Sequence, residues 1–307
     1  MLAAAQTGRY RLGVLASSGA VLQDAHWIAF FERLNELGLV DGRNLTIERR
    51  QAGGRIEQLP KLAAELARLD CDVFFSAGAE ANLAALANAS RNTPIVFVAV
   101  DFDPVTTGDV ASLAQPGGRV TGVTAMQSTM PAKRLEILKE MLPDVRRVAI
   151  FTNDQTSDQL SVVQGTSRRL GLPLHVVHFK APPFDYGAAF AGVVAAKADA
   201  LFVLGSGLWV PDRRTIIDRA AQARLPSVFH HSGWVEAGGL MSYGFSFPAM
   251  WRRGAEIVAS ILRGAKVGQV PMEQPTTFEL AVNLKTAKTL GVTIAPSIML
   301  RASRVIE

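Results

Sequence analysis

Four short segments of this 307-residue chain return later in the same order. "RLGVL" at 11 comes back as "RVAIF" at 147, "LGL" at 37 as "LGL" at 170, "DVFFSAG" at 72 as "DALFVLGSG" at 199, and "TPIVF" at 93 as "LPSVF" at 225. The offsets are 136, 133, 127 (Asp72 to Asp199) and 132 (Pro94 to Pro226) residues. Any one match could arise by chance, but four in register argue for two similar lobes, and a period this long excludes a solenoid.

Within each lobe, apolar runs of strand length alternate with helix-patterned segments, the mark of a parallel α/β sheet. The first series of strands is expected at Arg11–Leu15, Leu45–Glu48, Val73–Phe75, Ile95–Val100 and Val120–Val123. The second is expected at Val148–Phe151, Leu174–Val177, Leu201–Leu204, Ser227–Phe229 and Leu240–Tyr243. Trp27, Phe30, Phe31 and Leu34 fall at i, i+3, i+4 and i+7, with Asp24 before them as a cap and Gly38 after them as a stop, so a helix with one buried face is predicted there. A helix at Pro248–Leu262, a strand at Phe278–Val282 and a helix at Leu284–Leu290 have no counterpart in the first series. They imply that the chain returns to the first lobe and crosses again. The expected division is 8–124 with 246–275 for one lobe and 125–245 with 276–307 for the other, with the ligand cleft between two doubly wound lobes joined by a hinge.

Composition narrows the function. A hydrophobic share of 49% supports a large core, and 19% charged residues exclude a disordered tail protein. The net charge of +5 would permit an acidic partner, but Lys and Arg are scattered and no basic run is interleaved with aromatics, which argues against nucleic acid. The lone Cys71 excludes an internal disulfide and a cysteine zinc site, and no metal-like histidine spacing occurs. No apolar stretch approaches the roughly 20 residues of a membrane span. Leu2-Ala3-Ala4-Ala5 has the small-residue character of the end of a secretory signal, while the charged and apolar parts of such a signal are absent. An exported, periplasmic protein with its signal trimmed is the expectation.

The strand ends carry the chemistry. Val96–Val100 is apolar on both faces and then stops at Asp101, Phe102, Asp103 and Pro104, which cannot continue a buried ladder. In open parallel sheets, ligands bind just past the carboxyl ends of the strands. Ser17, Ser18 and Gly19 follow the first strand, Ser76, Ala77 and Gly78 end the third, and Asp101 and Phe102 end the fourth. In the second lobe the ends are Thr152, Asn153 and Asp154; Gly205, Ser206 and Gly207 before Trp209; and His230, His231 and Ser232. Helix N-termini at such edges favour an anionic ligand, although Ser, Gly, Asn and Asp are also what helix caps and strand-to-helix turns require. Asp101 and Asp103 in one turn serve better to fix the Pro104 turn than to share a proton.

A catalytic apparatus is hard to assemble from these residues. "LGSGL" lacks the outer glycines of a nucleophile elbow, no phosphate loop ends in Gly-Lys-Ser/Thr, and "GVLASSGA" has the wrong glycine spacing for a dinucleotide site. No cofactor is called for.

The order "YRLGVLAS", "LNELGLVDGRNLTIE", "TPIVFVAVDFDPVTTG", "GGRVTGVT", "LPDVRRVAIF", "VNLKTAKTLGVTI" resembles the substrate-binding proteins of bacterial ABC importers, over about Tyr10 to Ile298. It is most similar to the group that includes tryptophan- and aromatic amino-acid-binding members, with the type I periplasmic-binding-protein fold. The resemblance implies an exported binding protein rather than an enzyme, one that closes on a small molecule and delivers it to the membrane subunits of an ABC permease. It implies ligand contacts from Ser17 and Ser18, from Gly78 and Ala79 at a helix start where members often have Thr, and from the loop Asn153–Asp158, including Asp154 and Ser157. The usual Glu and Asn of that loop appear here as Thr156 and Asp158. Where amino-acid-binding members place an Asp for the ligand's ammonium, this chain has Ser206, which points to a carboxylate or ring ligand without an amine. Trp209, Phe102 and Tyr243 are the expected ring partners, with Ser76, Asp101 and His231 completing the candidate set. Two rivals are a ligand-sensing domain of a regulator or receptor and an isomerase- or racemase-like enzyme; the latter would need His231 with Asp101 or Asp154 as its acid and base.

Overall fold

The computed structural model describes residues 10–17, 24–78, 80–100, 102–125 and 130–307. The chain divides into two compact units, Met1–Met126 with Phe247–Thr276 and Gln127–Ser246 with Thr277–Glu307, so it passes between them three times.

The first unit holds a five-stranded sheet of β1 (Tyr10–Ala16), β2 (Leu45–Gln51), β3 (Val73–Gly78), β4 (Ile95–Val100) and β5 (Val120–Ala125), in the order β2-β1-β3-β4-β5 and parallel throughout. β3 and β4 are buried along nearly their whole length because helices cover the sheet, which is why they read as unbroken apolar runs. The helices are α1 (Ala25–Glu36), α2 (Leu59–Ala67), α3 (Glu80–Ala89) and, after the long excursion through the other unit, one at Phe247–Leu262. α1 buries Trp27, Phe30 and Leu34, the stripe its spacing predicts, and the chain turns away at Gly38 with φ +81°. The Phe247–Leu262 helix lies along α1: Arg33 Nε donates to Glu256 at 2.9 Å and Arg252 pairs with Glu36 at 2.7 Å. Gly254 allows this helix down onto the sheet, since a Cβ there would lie 2.7 Å from Phe75 Cε2.

The second unit repeats the plan. It opens with α4 (Met130–Met141), followed by β6 (Val148–Asn153), α5 (Ser157–Leu170), β7 (Leu174–Phe179), α6 (Tyr186–Ala195), β8 (Ala200–Val203), α7 (Arg213–Gln222), β9 (Ser227–Phe229), α8 (Ser232–Glu236) and β10 (Met241–Phe245). The helix already described at Phe247–Leu262 is α9; after it come β11 (Phe278–Asn283), α10 (Leu284–Leu290), α11 (Pro296–Arg301) and β12 (Arg304–Ile306). The sheet order is β12-β11-β10-β9-β8-β6-β7, with β11 antiparallel to β10 and every other pairing parallel. Alternation along the strands feeds two cores: Ile150 and Phe202 pack on one face with Leu135, Leu138 and Val163, while Phe151 and Val203 pack on the other with Trp209, Phe229 and Trp234.

In both sheets the direction of winding reverses beside the first strand, between β1 and β3 in the first unit and between β6 and β8 in the second. At such a switch point the two crossovers leave to opposite faces and open a crevice at the carboxyl ends of the strands. The residues at those two places are Ser17 with Gly78 and Asn153 with Ser206. Ser17 and Asn153 stand 136 residues apart, the offset of the first repeated segment.

Candidate functional site

In the first unit the switch point is built around a glycine. Gly78 ends β3 with φ +121°, a conformation that turns the chain from strand toward α3 and that a residue with a Cβ adopts only under strain. The place its Cβ would take lies 4.0 Å from Ser17 Oγ and 3.9 Å from Oδ1 of Asn82, in the first turn of α3. Asn82 is only 2% exposed, and its Nδ2 has no hydrogen-bond acceptor. The Ser17 carbonyl accepts from the Gly54 N–H at 2.8 Å, which pins the segment leaving β1. Near the end of β5, the buried Thr124 hydroxyl likewise has no partner. In the Pro104 turn, Asp103 accepts from the Val105 N–H at 3.0 Å and from Thr106 Oγ1 at 3.0 Å. Phe102 is half-buried and meets Phe97 edge to face at 5.8 Å.

In the second unit the loop after β6 is closed by side chains. The Asn153 N–H donates to Thr156 Oγ1 at 2.9 Å, Asn153 Oδ1 accepts from the Gln155 N–H at 3.0 Å, and the Thr152 and Thr156 hydroxyls meet at 2.8 Å. Asn153 is 1% exposed and its Nδ2 finds no acceptor. Ser206 donates to Gln155 Oε1 at 3.1 Å and accepts from the Leu208 N–H at 3.2 Å, so Gln155 ties Ser206 to the Asn153 loop. His231, after β9, accepts the Gly233 N–H on Nδ1 at 3.1 Å, which puts the proton of the neutral ring on Nε2. It packs edge to face on His230 at 4.7 Å. Burial pushes the His230 ring down to about 3, with the Arg134 charge adding to the effect, so His230 is neutral at ordinary pH. The half-buried Tyr243 ring stacks on Phe278 at 6.1 Å, and its carbonyl accepts from Nε of the buried Arg134 at 2.5 Å.

Two of the expected residues are placed elsewhere. Trp209 is fully buried, its Nε1 donating to the Leu204 carbonyl at 2.8 Å and its ring lying 5.2 Å from Phe179 and 5.3 Å from Phe184. It is a core residue of the second unit with no surface to offer a ring. Ser76 is also fully buried and donates to the Leu15 carbonyl at 2.7 Å, so its hydroxyl joins β3 to β1. Asp154 and Ser157 are exposed; the Asp154 carboxylate meets His178 Nε2 at 3.0 Å and Ser157 Oγ donates to the Asp154 carbonyl at 2.9 Å. Ser18, Ala79 and Asp101 lie outside the described residues.

Asn82 and Gln159 were not in the expected set, and Gln155 was covered only as part of the loop Asn153–Asp158. The signal for Asn82 is its place in "EANLAALANA", where it shares a buried stripe with Leu83 and Leu86 and is the polar residue of that stripe. The aromatic group formed by His26, Phe247 and Trp251 was equally unforeseen: at the first turns of α1 and α9, Trp251 stacks on Phe247 at 5.5 Å and meets His26 at 4.6 Å. Among the described residues no three His, Cys, Asp or Glu side chains stand close enough to hold a metal ion. A groove of about 910 Å³ bordered by Lys139, Asp144, Asp199 and Pro226 lies at the opposite, amino-terminal edge of the second sheet, and none of the candidate ligand residues borders it.

Residues 22–306 match the family described as ABC transporter substrate binding protein. The chain belongs to that family. This substrate-binding protein is 26% identical over 275 residues to the tyrosine-binding protein of Clostridioides difficile, covering 86% of this chain and 75% of that one. Its fold is similar to a conserved domain protein of Vibrio cholerae (TM-score 0.82, 25% identity, 97% of this chain and 99% of that one). It is equally similar to the ABC domain solved with L-Trp from Streptococcus pneumonia (TM-score 0.82, 22% identity, 97% and 100%). The family and the type I periplasmic-binding-protein-like fold expected from the sequence are therefore the ones found, and the substrate-binding protein belongs with binders rather than enzymes. No helix among the described residues is long and apolar enough to cross a membrane.

Proposed function

We propose that this protein is the periplasmic solute receptor of an ABC importer, closing its two units on a small aromatic carboxylate and handing it to the permease. The carrying observation is the doubled switch point: each unit places small polar groups at the carboxyl ends of its reversing strands, Ser17 and Gly78 in one and Asn153 and Ser206 in the other. A ligand shifts such a protein between open and closed forms only through contacts it makes to both units, and micromolar affinity, about 8 kcal/mol, is ample for a closure costing a few kcal/mol. Ser206 offers a hydroxyl already engaged with Gln155, and this neutral group supports a ligand without an ammonium.

A second reading, an aromatic α-amino acid, is favoured by the tyrosine-binding relative and the L-Trp-bound neighbour. Thermal unfolding with L-tyrosine, L-tryptophan, 3-(4-hydroxyphenyl)propionate and indole-3-propionate separates the two. A ligand at one hundred times its dissociation constant adds about 2.7 kcal/mol to stability. A rise with the amine-free acids alone supports the first reading, a rise with the amino acids alone replaces it by the second, and no rise with any of the four overturns both.

A further inference from the structure

The chain passes between the two units after Met126, Ser246 and Thr276. Such connections bend only where nothing pins them, so a residue bonded to more than one of them decides where bending starts. Within the first unit, one residue is bonded to all three. Glu273 lies on the third connection, three residues before its last residue in the first unit. Its N–H donates to the Gly122 carbonyl at 2.9 Å and its carbonyl accepts from the Thr124 N–H at 2.8 Å, which seams it in parallel to β5, the strand that leads into the first crossing. Its carboxylate takes a fork of bonds from Arg253, Oε2 from Nε at 2.7 Å and Oε1 from Nη2 at 2.6 Å. Arg253 stands in α9, the helix that opens directly after the second crossing, and its Nη1 also donates to Glu256 of that helix.

The seam stops at Glu273. Behind it the same segment is held down three times: the Gly268 carbonyl accepts from the Gly117 N–H at 3.1 Å, the Val270 carbonyl from Thr121 Oγ1 at 2.7 Å, and the Met272 N–H donates to the Leu113 carbonyl at 2.8 Å. Ahead of it, Gln274, Pro275 and Thr276 make no backbone hydrogen bond among the described residues, and the next one, from the Ser246 N–H to the Thr277 carbonyl at 3.1 Å, already belongs to the second unit. Hinges absorb a change of direction in a few residues at the ends of elements. Pro275 fixes its own φ and biases Gln274 toward extended backbone, which narrows the free span further. The Arg253 and Glu273 side chains are 44% and 38% exposed, so the pair adds little to global stability, whereas a fork of two parallel bonds fixes the orientation of the groups it joins.

We propose that Glu273 is the anchor of the hinge: it holds the first-unit ends of the three connections to one base, so that they bend together beyond it and the units close along a single path. Glu273 is a positioning residue, acting on ligand affinity through closure. The inference rests on the reading of the protein as a receptor that closes on its ligand.

The test is the distribution of distances between two nitroxide labels, read by electron spin resonance on the ligand-free chain carrying Lys61→Cys in one unit and Arg219→Cys in the other. Both positions are exposed, and the buried Cys71, its thiol pushed up to about 11 by desolvation, stays unlabelled. Glu273→Ala and Arg253→Ala are each expected to widen the wild-type distribution by about half, the double variant to widen it no further, and all three to unfold on heating within about 4 °C of wild type. Unchanged widths, a double variant wider than either single one, or widening that comes with a larger loss of stability overturn the anchor. Should Glu273→Ala fail to fold, Arg253→Lys, which keeps the charge and loses the fork, carries the test with the same outcomes. Adding L-tyrosine, L-tryptophan, 3-(4-hydroxyphenyl)propionate or indole-3-propionate to the labelled wild type tests the underlying reading: a shift with at least one of them supports closure, and no shift with any overturns the receptor reading, while the ligand-free widths judge the anchor separately. The probe that shifts wild type is expected to bind Glu273→Ala about threefold more weakly. Equal affinity overturns the single closing path.

Discussion

Gln159 grips the backbone of Gly205 with both ends of its amide, Nε2 donating to the Gly205 carbonyl at 2.8 Å and Oε1 accepting the Gly205 N–H at 3.0 Å. Gly205 immediately precedes Ser206, so an amide from α5 sets the height at which the Ser206 hydroxyl leaves the sheet. Gln159→Leu would leave two buried backbone groups unpaired, and a destabilisation of about 2–4 kcal/mol is expected in urea unfolding. Among molecules still folded, ligand affinity should fall with it. A variant as stable as wild type would show that the Gly205 backbone finds other partners.

Trp209 and Ser206 are three residues apart, yet the structure gives them opposite roles. Trp209→Phe should lower stability by about 1–2 kcal/mol through the lost bond to the Leu204 carbonyl, and leave ligand affinity unchanged. Ser206→Ala should do the reverse, with near-native unfolding and affinity reduced tenfold or so. Equal loss of affinity in Trp209→Phe would return that residue to the ligand site.

His230 should make the protein acid-sensitive well above the carboxylate range. Its ring is neutral in the fold, with a pKa pushed down to about 3, whereas in the unfolded chain it takes a proton near 6.5. Its contribution is thus complete above pH 6.5 and is lost as the pH falls from there toward 3, at a limiting slope of about 1.4 kcal/mol per pH unit. The Arg134 charge acts in the same direction as burial. Urea midpoints between pH 7 and 5 should fall more steeply for wild type than for His230→Asn; parallel slopes would refute this.

Glu36 contributes in a lower window. Hydrogen bonds first from Arg252 and then from Arg33 hold its carboxyl down to about 2. The stability it adds is present above its ordinary value of about 4.5 and is lost as the pH falls from there to about 2. The group is exposed, so the effect should shrink as salt is raised. Glu36→Gln should flatten the stability profile below pH 4.5 at low salt; a profile unaltered by the substitution would show that the ion pairs of Glu36 add nothing.

Most of the architecture was legible because strands covered on both faces leave continuous apolar runs such as Val96–Val100, and because the doubled plan repeats those runs in order. The switch points were legible too, as hydroxyls, amides and glycines where apolar runs stop. What the letters could not convey was direction. Ser76 reads as one more strand-end hydroxyl until the Leu15 carbonyl is placed beside it, and an aromatic after a strand, such as Trp209, reads the same whether it folds back over the core or outward. Asn82 and Gln159 hide inside helical patterns, where a polar residue looks like part of a solvated face. β12 escaped notice because three residues, two of them exposed, carry too little signal.

α9 packs beside α1, covering the side of the first sheet that holds Phe75, yet it is encoded more than two hundred residues later. During synthesis, the first five strands and three helices therefore leave the ribosome long before the segment that completes their hydrophobic cover. The chain must carry Trp27, Phe30 and Phe75 uncovered while the whole β6–β10 region is made. Final closure of the amino-terminal half is a late event, one that leaves time for an unfinished chain to be held open by other proteins.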